Sequence, residues 1–201
     1  MVQYKLYYFD ARGNAEIIRL IFAYSDVKYE DVRIPREEWP KHKSDMPLRQ
    51  LPVLEVDGVK LCQSATLNRY MAREFGLMGK TSKDAYYIEM FCDSIMEIVW
   101  KYPFMEEDEK KKAARAEEFK KTTPESLSRL QKMIEKCSHE GEWIFGTFTL
   151  ADLYLFTFGD FVLPVCNDIF SSVPEMQKIY EKVKSLPKIA AWIEKRPVTF
   201  L

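Results

Sequence analysis

The chain has 201 residues, 47% of them hydrophobic and 30% charged, which is the composition of a folded globular protein and excludes a disordered or fibrous chain. Its 30 Lys and Arg residues are balanced by 31 Asp and Glu residues, so it lacks the overall positive charge that nucleic-acid binding usually requires. Aromatic residues make up 14% of the chain, which is enough bulk for a large core and an apolar pocket.

The sequence argues against a secretory signal, a membrane span and a zinc site. The opening stretch MVQYKLYYFD lacks the basic start and apolar run of a secretory signal, and no apolar run reaches the roughly 18 residues of a membrane span. His42 and His139 have no cysteine or second histidine at ligand spacing, which argues against a zinc site. We expect a cytoplasmic protein, without membrane insertion, that keeps four reduced thiols: Cys62, Cys92, Cys137 and Cys166.

The first part of the chain alternates between strand and helix patterns. Residues 4–9 place aromatic and apolar side chains at every second position, which predicts a β-strand. Asn14 is a candidate N-cap for a helix over 15–24, where apolar residues recur at helical spacing. A second strand is predicted over 29–34.

A hairpin and a further helix follow. Asp57-Gly58 separates two apolar runs and predicts a β-hairpin over 53–62. Ser64 is predicted to cap a helix over 64–75. The resulting order (βαβ-ββα), with a right-handed parallel crossover at its start, is that of a thioredoxin-like α/β domain.

The rest of the chain is predicted to be helical. A stripe at helical spacing predicts one long helix, and its members are Ile88, Phe91, Cys92, Ile95, Val99 and Tyr102. The charge-rich run 106–121 is interpreted as a solvated helix face or loop, and Thr123-Pro124 is predicted to open a new helix. Thr149 and Asp152 have the spacing of a cap and its first-turn partner, which predicts another helix start.

The change of pattern predicts two domains. Residues 1–76 are assigned to the thioredoxin-like domain and residues 82–201 to an all-α domain. The stretch 77–81 is the predicted linker, because the strand patterns stop before it and helical periodicity begins after it.

In a thioredoxin-like domain, the reactive group usually lies just after the first strand. No C-x-x-C motif occurs there, which argues against disulfide exchange. Tyr8 is found there instead, followed by Arg12-Gly13. A tyrosine at a strand end is more often a core residue than a catalytic one, so this pattern alone leaves both interpretations open.

Two further features favour a small-ligand site. A cis bond between Leu51 and Pro52 would turn the Leu51 backbone outward to pair with a peptide-like ligand, whereas a trans proline at a strand start fits the pattern equally well. Gln63-Ser64 begins a helix whose free N–H groups can bind a carboxylate. The Ser64 hydroxyl can serve such a ligand or act as the cap.

Trp39 and Lys43 lie four residues apart in a polar segment. An exposed Trp beside a Lys suits the far end of a small anionic ligand. A surface Trp with a neighbouring Lys is also ordinary, so the pair does not discriminate on its own.

Taken together, these segments resemble the glutathione-binding domain of cytosolic glutathione transferases. The matching stretches are YKLYYFDARGNAEIIRLIFAY, EEW at 37–39, LPVLEVDG and QSATLNRYMAREFGL, with FTLADLYLF and WIEKRP in the second half. The first strand and its Tyr-Lys-Leu opening are most similar to the sigma class. The resemblance covers the whole chain and implies glutathione as co-substrate, with no permanently bound cofactor and no metal.

The resemblance also implies roles for individual residues. Tyr8 matches the catalytic tyrosine, which donates a hydrogen bond to the glutathione sulfur. Trp39 and Lys43 match the residues that hold the glycine end of the tripeptide.

The remaining glutathione contacts implied by the resemblance come from two short segments. Gln50 and Leu51 match the stretch that pairs with the cysteinyl part of glutathione, just before the family's cis-proline, here Pro52. Gln63 and Ser64 match the pair that binds the γ-glutamyl carboxylate.

Both the family resemblance and the residue pattern of the long predicted helix lead us to expect a homodimer. Glu97 matches an acidic residue that reaches across the family's dimer to the γ-glutamyl amine. The same predicted helix carries Met90 and Ile98 beside its core stripe, so apolar residues occupy more than one of its faces.

The expected activity is attack by the glutathione thiolate on small hydrophobic electrophiles, as in detoxification. The implied electrophile pocket draws on the first strand and on the helical domain, and Tyr102 and Phe104 fit a helix–helix core equally well. Its candidate residues are Phe9, Asn14, Tyr102 and Phe104.

Other activities occur among chains with this resemblance. One alternative is a glutathione-dependent prostaglandin D isomerase, and another is a non-catalytic role as a binder of haem-like ligands or as a lens crystallin. In the isomerase branch, an arginine stands where this chain has Asn14 and a tryptophan where it has Phe104. These two differences favour general conjugation over isomerisation, and intact Tyr8, Gln63 and Ser64 argue against a purely structural role.

Overall fold

The computed structural model describes residues 2–199. Four strands are present, and they are β1 Tyr4–Phe9, β2 Glu30–Ile34, β3 Val53–Val56 and β4 Val59–Cys62. The helices of the first part are α1 Glu16–Tyr24, α2 Trp39–His42 and α3 Ser64–Glu74. The later helices are α4 Ser82–Val99, α5 Glu109–Cys137, α6 Leu150–Val162, α7 Pro174–Ser185 and α8 Pro187–Lys195.

The chain forms two compact units. The first contains the described residues up to Gly76 together with those from Leu186 onward, and the second runs from Leu77 to Ser185. The last helix, α8, therefore groups with the α/β unit, whereas the sequence pattern had assigned it to the helical domain.

The four strands form one mixed sheet in the order β2-β1-β3-β4. The pair β1–β2 is parallel and is connected through α1, whereas β1–β3 and β3–β4 are antiparallel. Leu6 of β1 lies opposite Leu54 of β3, and both side chains are fully buried. The prediction of a thioredoxin-like domain followed by a helical domain is confirmed.

The hairpin between β3 and β4 has the turn that its sequence predicts. Asp57 and Gly58 both adopt positive φ, at 48° and 84° respectively. Positive φ at both central positions is the requirement of a type I′ turn, whose twist matches that of the flanking strands. The predicted hairpin is therefore confirmed.

Helix α1 is largely buried within the first unit. Ile18, Leu20 and Ile21 are fully buried, and α1 contacts both α3 and α8. The contact with α8 is also polar, because Trp192 Nε1 and Arg196 Nη1 donate to Glu16 Oε1 at 2.8 and 2.9 Å. These bonds tie the C-terminal helix to the helix that follows the first strand.

Helix α6 is the centre of the second unit. Most of its side chains are buried, and it packs between α4 and α7. Its start has the predicted capping box, in which the Thr149 N–H donates to Asp152 Oδ2 at 2.8 Å and the Ile144 N–H donates to Oδ1 at 3.0 Å. Burial raises the pKa of Asp152 to about 6, although these donors act in the opposite direction.

The prediction that Thr123-Pro124 opens a new helix was wrong. Pro124 lies inside α5, which begins at Glu109 after its cap Asp108 and joins the charged residues 109–121 to the following segment in one helix of 29 residues. A proline removes one helical hydrogen bond, and buried Phe119 and Leu127 on either side keep this helix packed. Packing therefore outweighs the local start signal.

Within residues 2–199, no helix is long and apolar enough to cross a membrane, and no group of three or more metal-ligating side chains comes together. All four cysteines are free thiols. Two of them, Cys92 and Cys166, are buried, while Cys62 and Cys137 are partly exposed.

Candidate active site

Tyr8 lies at the carboxyl end of β1, one residue past the pairing with β3, and its side chain is partly buried. Its hydroxyl oxygen accepts a hydrogen bond from the Asn14 backbone N–H at 3.1 Å. Because the hydroxyl acts as acceptor in this bond, its own proton is left to donate to another group. Tyr8 is therefore oriented as a hydrogen-bond donor at the end of the first strand.

The residue beside that bond is a glycine for a steric reason. Gly13 has φ +39°, and a Cβ at this position would lie 2.4 Å from Tyr8 Oη. Only glycine allows the turn to approach the hydroxyl this closely. The sequence indicated no steric role for Gly13, and the Arg12-Gly13 pair shortly after the first strand was the available signal.

The prediction that Asn14 caps α1 was wrong. Asn14 lies in a 3₁₀ turn, Gly13–Ala15, and Ala15 occupies the cap position without a side-chain hydrogen bond. The turn brings the Asn14 amide to the Tyr8 hydroxyl, so this segment serves the tyrosine instead of capping the helix.

A concave region of about 420 Å³ lies in the first unit. It brings together six residues that the sequence singled out, and its full lining is Asn14, Leu48, Gln50, Leu51, Pro52, Cys62, Gln63 and Ser64. Leu48 and Cys62 were not among the candidates. No local motif marks either of them, because each is brought to the region by the path of the loop or strand that carries it.

The Leu51–Pro52 bond, left open by the sequence, is cis. Val53 begins β3 directly afterwards and is fully buried. Among residues 2–199, no hydrogen bond uses the Leu51 N–H, so this amide is available to a ligand in the concave region.

Gln63 and Ser64 lie where β4 gives way to α3. Gln63 has φ +76°, a conformation that is uncommon outside glycine and often marks functional sites. The prediction that Ser64 caps the helix was wrong, since Gln63 holds the cap position and Ser64 is the first helical residue. The first intrahelical bond runs from the Leu67 N–H to the Gln63 carbonyl, and the N–H groups before it face outward at the positive end of the helix.

Trp39 and Lys43 are not part of this lining. Trp39 begins α2, packs edge-on against Phe9 with ring centres 5.7 Å apart, and contacts the small core formed by Ile34, Met46 and Val53. Lys43 is exposed at the start of the following 3₁₀ turn.

Glu97 belongs to the second unit. It is exposed on α4 and lines a concave region of about 750 Å³ between α4 and α5. Met90, Ser94, Ile98 and Met133 share this lining. Of the two apolar residues predicted beside the core stripe of this helix, Met90 is partly exposed, whereas Ile98 is buried and belongs to the core.

Tyr102 and Phe104 follow the end of α4, which stops at Val99 before reaching the last member of the predicted stripe. Their ring centres are 4.6 Å apart, and Tyr102 also meets Phe119 of α5 edge-on at 5.2 Å. Both side chains are only partly buried. They form an aromatic cluster that helix packing does not fully cover.

Comparison with known proteins covers both halves of the chain. The glutathione S-transferase N-terminal domain matches residues 4–73, and the glutathione S-transferase C-terminal domain matches residues 93–196. Hematopoietic prostaglandin D synthase from Rattus norvegicus is 37% identical over 202 positions, covering 100% of both chains.

Two further relatives carry the same family name. Glutathione S-transferase S1 from Drosophila melanogaster is 36% identical over 200 positions, which cover 98% of this chain and 80% of that protein. The solved structure of monomeric Na-GST-3, a glutathione S-transferase from Necator americanus, gives a TM-score of 0.88 at 36% identity over 99% of this chain and 100% of that one. The chain therefore belongs to the glutathione S-transferase family, and within it to the sigma class that its sequence resembles.

Proposed function

We propose that this transferase conjugates the thiolate of reduced glutathione to small hydrophobic electrophiles, with the Tyr8 hydroxyl as the catalytic donor. The observation that carries the proposal is the double role of Asn14. Its backbone N–H holds the Tyr8 hydroxyl oxygen, and the same residue lines the concave region beside Leu51 and Ser64. The donor and the binding region are therefore joined through one residue of the same unit.

The tripeptide is proposed to lie along this region. The Leu51 amide, followed by Pro52, is available to the cysteinyl part, with Gln50 alongside. Gln63 and Ser64 at the start of α3 suit the γ-glutamyl carboxylate, because helix N–H groups and the helix dipole favour an anion there.

Trp39 and Lys43 are proposed for the glycine end. Neither residue lines the concave region, but Trp39 packs against the same small core as Leu51, which lines it, so Trp39 suits the outer part of an extended ligand. Lys43 is exposed and supplies a positive charge for the terminal carboxylate.

A hydrogen bond from Tyr8 is strong enough for this chemistry. A free thiol has a pKa of about 8.5, so only a few per cent is thiolate at neutral pH. A hydrogen bond to a charged acceptor contributes roughly 1.5–3 kcal/mol, which corresponds to a pKa about one to two units lower. That change makes the nucleophilic thiolate abundant at neutral pH.

The test of the proposed function is a turnover assay with glutathione and a general aryl halide. Conjugation that saturates with both substrates supports the proposal. Glutathione binding without turnover would favour a ligand-binding role, and the absence of both would contradict the proposed site.

Glutathione-dependent prostaglandin isomerisation is the second candidate, favoured by the full-length match to the rat prostaglandin D synthase. Asn14 and Phe104 stand against it, because neither supplies the charge or the large wall that the isomerase branch has at these positions. Prostaglandin H2 in the same assay separates the two activities.

A cytoplasmic homodimer is also proposed. The α4–α5 face carries the partly exposed Met90 and Met133 next to charged Glu97 and Arg129, a mixture typical of an interface between copies of one chain. In such a dimer, Glu97 is the residue proposed to reach the partner's glutathione. Since the solved relative Na-GST-3 is described as monomeric, sedimentation at micromolar concentration is the direct test.

A further inference from the structure

We propose that Arg19 is a positioning residue that holds the turn beside the Tyr8 hydroxyl, an inference that rests on the proposed role of Tyr8. Arg19 is in α1 and is fully buried, with no exposed surface. Burying an unpaired guanidinium destabilises the folded state, so the partners of Arg19 indicate which groups it holds in place.

Two carboxylates balance the charge of Arg19. Its Nη1 lies 3.3 Å from Glu16 Oε2, and its Nε lies 3.1 Å from Asp31 Oδ1. Asp31 is shared with Arg33, whose Nε donates to Oδ2 at 2.9 Å. Glu16 is shared with Arg196 and Trp192 of the C-terminal segment, so the group around Arg19 is anchored on both sides.

Arg19 also reaches the backbone that leads to the Tyr8 contact. Its Nη1 donates to the Ala11 carbonyl at 2.7 Å and lies 3.4 Å from the Arg12 carbonyl. Ala11 and Arg12 directly precede Gly13. The residue after Gly13 is Asn14, whose N–H binds the Tyr8 hydroxyl. Arg19 therefore fixes the near end of this turn.

The same guanidinium lies beside the tyrosine itself. The Arg19 Cζ is 5.9 Å from the centre of the Tyr8 ring, within the range of a cation–π contact. The ring and the turn that holds its hydroxyl are thus both in contact with one rigid, buried side chain. A small displacement of either would move the donor proton, and catalytic geometry is sensitive to displacements of about 1 Å.

A purely structural role makes a different prediction. If Arg19 only neutralised Glu16 and Asp31, its loss would lower stability without changing the Tyr8 contact. The bonds to the Ala11 and Arg12 carbonyls are what favour positioning, because they connect Arg19 to the turn and contribute nothing to the balance of charge.

The first experiment compares Arg19→Lys with Arg33→Lys. Both variants keep the positive charge and lose the planar guanidinium, but the polar partners of Arg33 within residues 2–199 are the carboxylates of Asp31 and Asp10. We expect Arg19→Lys to lower kcat for conjugation about tenfold with KM for glutathione within about twofold, since a displaced donor affects the reacting atom more than binding. Arg33→Lys should change neither by more than about twofold.

The second readout does not depend on turnover. Amide hydrogen exchange at Asn14 should become about tenfold faster in Arg19→Lys, as it should in Tyr8→Phe, while the amide of buried Leu6 stays protected. Unchanged Asn14 exchange in Arg19→Lys would overturn the inference whatever the activity shows. If the wild-type protein lacks conjugating activity but the Asn14 amide still exchanges faster in Arg19→Lys, the inference about Arg19 stands and the proposed function is contradicted.

A second variant covers the case in which Arg19→Lys does not fold. Arg19→Met removes the guanidinium but leaves Glu16 paired with Arg196 and Asp31 paired with Arg33, so each carboxylate keeps a cationic partner. The same faster exchange at Asn14 is expected. Asn14 protection equal to that of the wild type would again overturn the inference.

Discussion

The hydroxyl oxygen of Tyr8 and the backbone nitrogen of Asn14 lie 3.1 Å apart, with the tyrosine as acceptor. Every residue except proline would supply the same backbone donor at position 14, so the contact depends on the path of the turn. The path in turn depends on Gly13, which leaves room for the hydroxyl, and on Arg19, which holds the preceding carbonyls.

Tyr8→Phe should keep glutathione affinity near the wild-type value and lose most of the turnover. The hydroxyl is proposed to touch only the sulfur, while other groups hold the tripeptide. The midpoint of the pH–rate profile should rise by about one to two units, because the bound thiol loses its donor.

Tyr7→Phe is the matched control for that variant. Tyr7 is the next residue back on β1, so its side chain points to the opposite face of the sheet, where its hydroxyl donates to Glu55 at 3.0 Å. Its loss should leave the pH–rate midpoint in place. Full activity in Tyr8→Phe would remove Tyr8 from the mechanism.

Gly13→Ala should lower kcat, whereas Gly58→Ala should not. The new Cβ would meet the Tyr8 hydroxyl at 2.4 Å, so the ring or the turn must move. Gly58→Ala is the control, since Gly58 also has positive φ, at +84°, but no atom lies within 4 Å of its Cβ position. Both variants should lose about 1 kcal/mol of unfolding free energy from the backbone alone. Equal kcat values in the two variants would contradict the steric role of Gly13.

The parts of the fold that follow from local chemistry were predictable from the sequence. Asp57-Gly58 requires a tight hairpin, and the alternation along 4–9 requires a strand, whatever surrounds them. The helix starts were less predictable because a cap competes with tertiary contacts. The Asn14 backbone N–H binds the Tyr8 hydroxyl, and Gln63 takes the cap position, so Ser64 is the first helical residue.

The candidate site was predictable to a similar extent. The short motifs identified six of the eight lining residues, which lie just before α1, just before β3 or at the start of α3, whereas Leu48 and Cys62 were not identified. Arg19 and Glu16 were not identified, because a charged pair on a helical pattern is indistinguishable from a solvated one until its burial is known.

Trp192→Phe should lower the unfolding free energy by about 1–2 kcal/mol. The indole N–H donates to buried Glu16 at 2.8 Å, and its removal leaves that carboxylate one donor short while ring packing is largely kept. Trp100→Phe serves as the control, since Trp100 is 57% exposed and its replacement should change stability by less than about 0.5 kcal/mol. Equal denaturation midpoints for the two variants would mean that the α8 contact adds no stability.

Stability should depend on pH through Asp152. Its pKa is 3.8 for a free side chain and is raised to about 6 in the folded chain by burial, so the folded state binds the proton more tightly than the unfolded state. The unfolding free energy should therefore fall as pH rises from about 4 to about 6. Asp152→Asn, measured over the same range, has no such ionisation, and a constant difference between the two proteins would show that Asp152 does not titrate there.

The preference between conjugation and isomerisation is expected to depend on Asn14 and Phe104. Wild-type kcat/KM should be higher for an aryl halide than for prostaglandin H2, since neither residue offers a charge for a lipid carboxylate or a large indole wall. Asn14→Arg should not disturb Tyr8 directly, because the Asn14 contact is made by its backbone N–H.

The second position, Phe104, belongs to an aromatic cluster of the second unit. Phe104 is only partly buried, with its ring centre 4.6 Å from that of Tyr102 and 6.3 Å from that of Phe161, so Phe104→Trp places a larger ring in this aromatic cluster. The double variant, Asn14→Arg with Phe104→Trp, should gain formation of the D2 product while conjugation is retained. A wild-type preference for prostaglandin H2 would reverse the proposed order of activities. Without a gain in the double variant, these two positions do not set the preference, and the discrimination must come from other residues of the pocket.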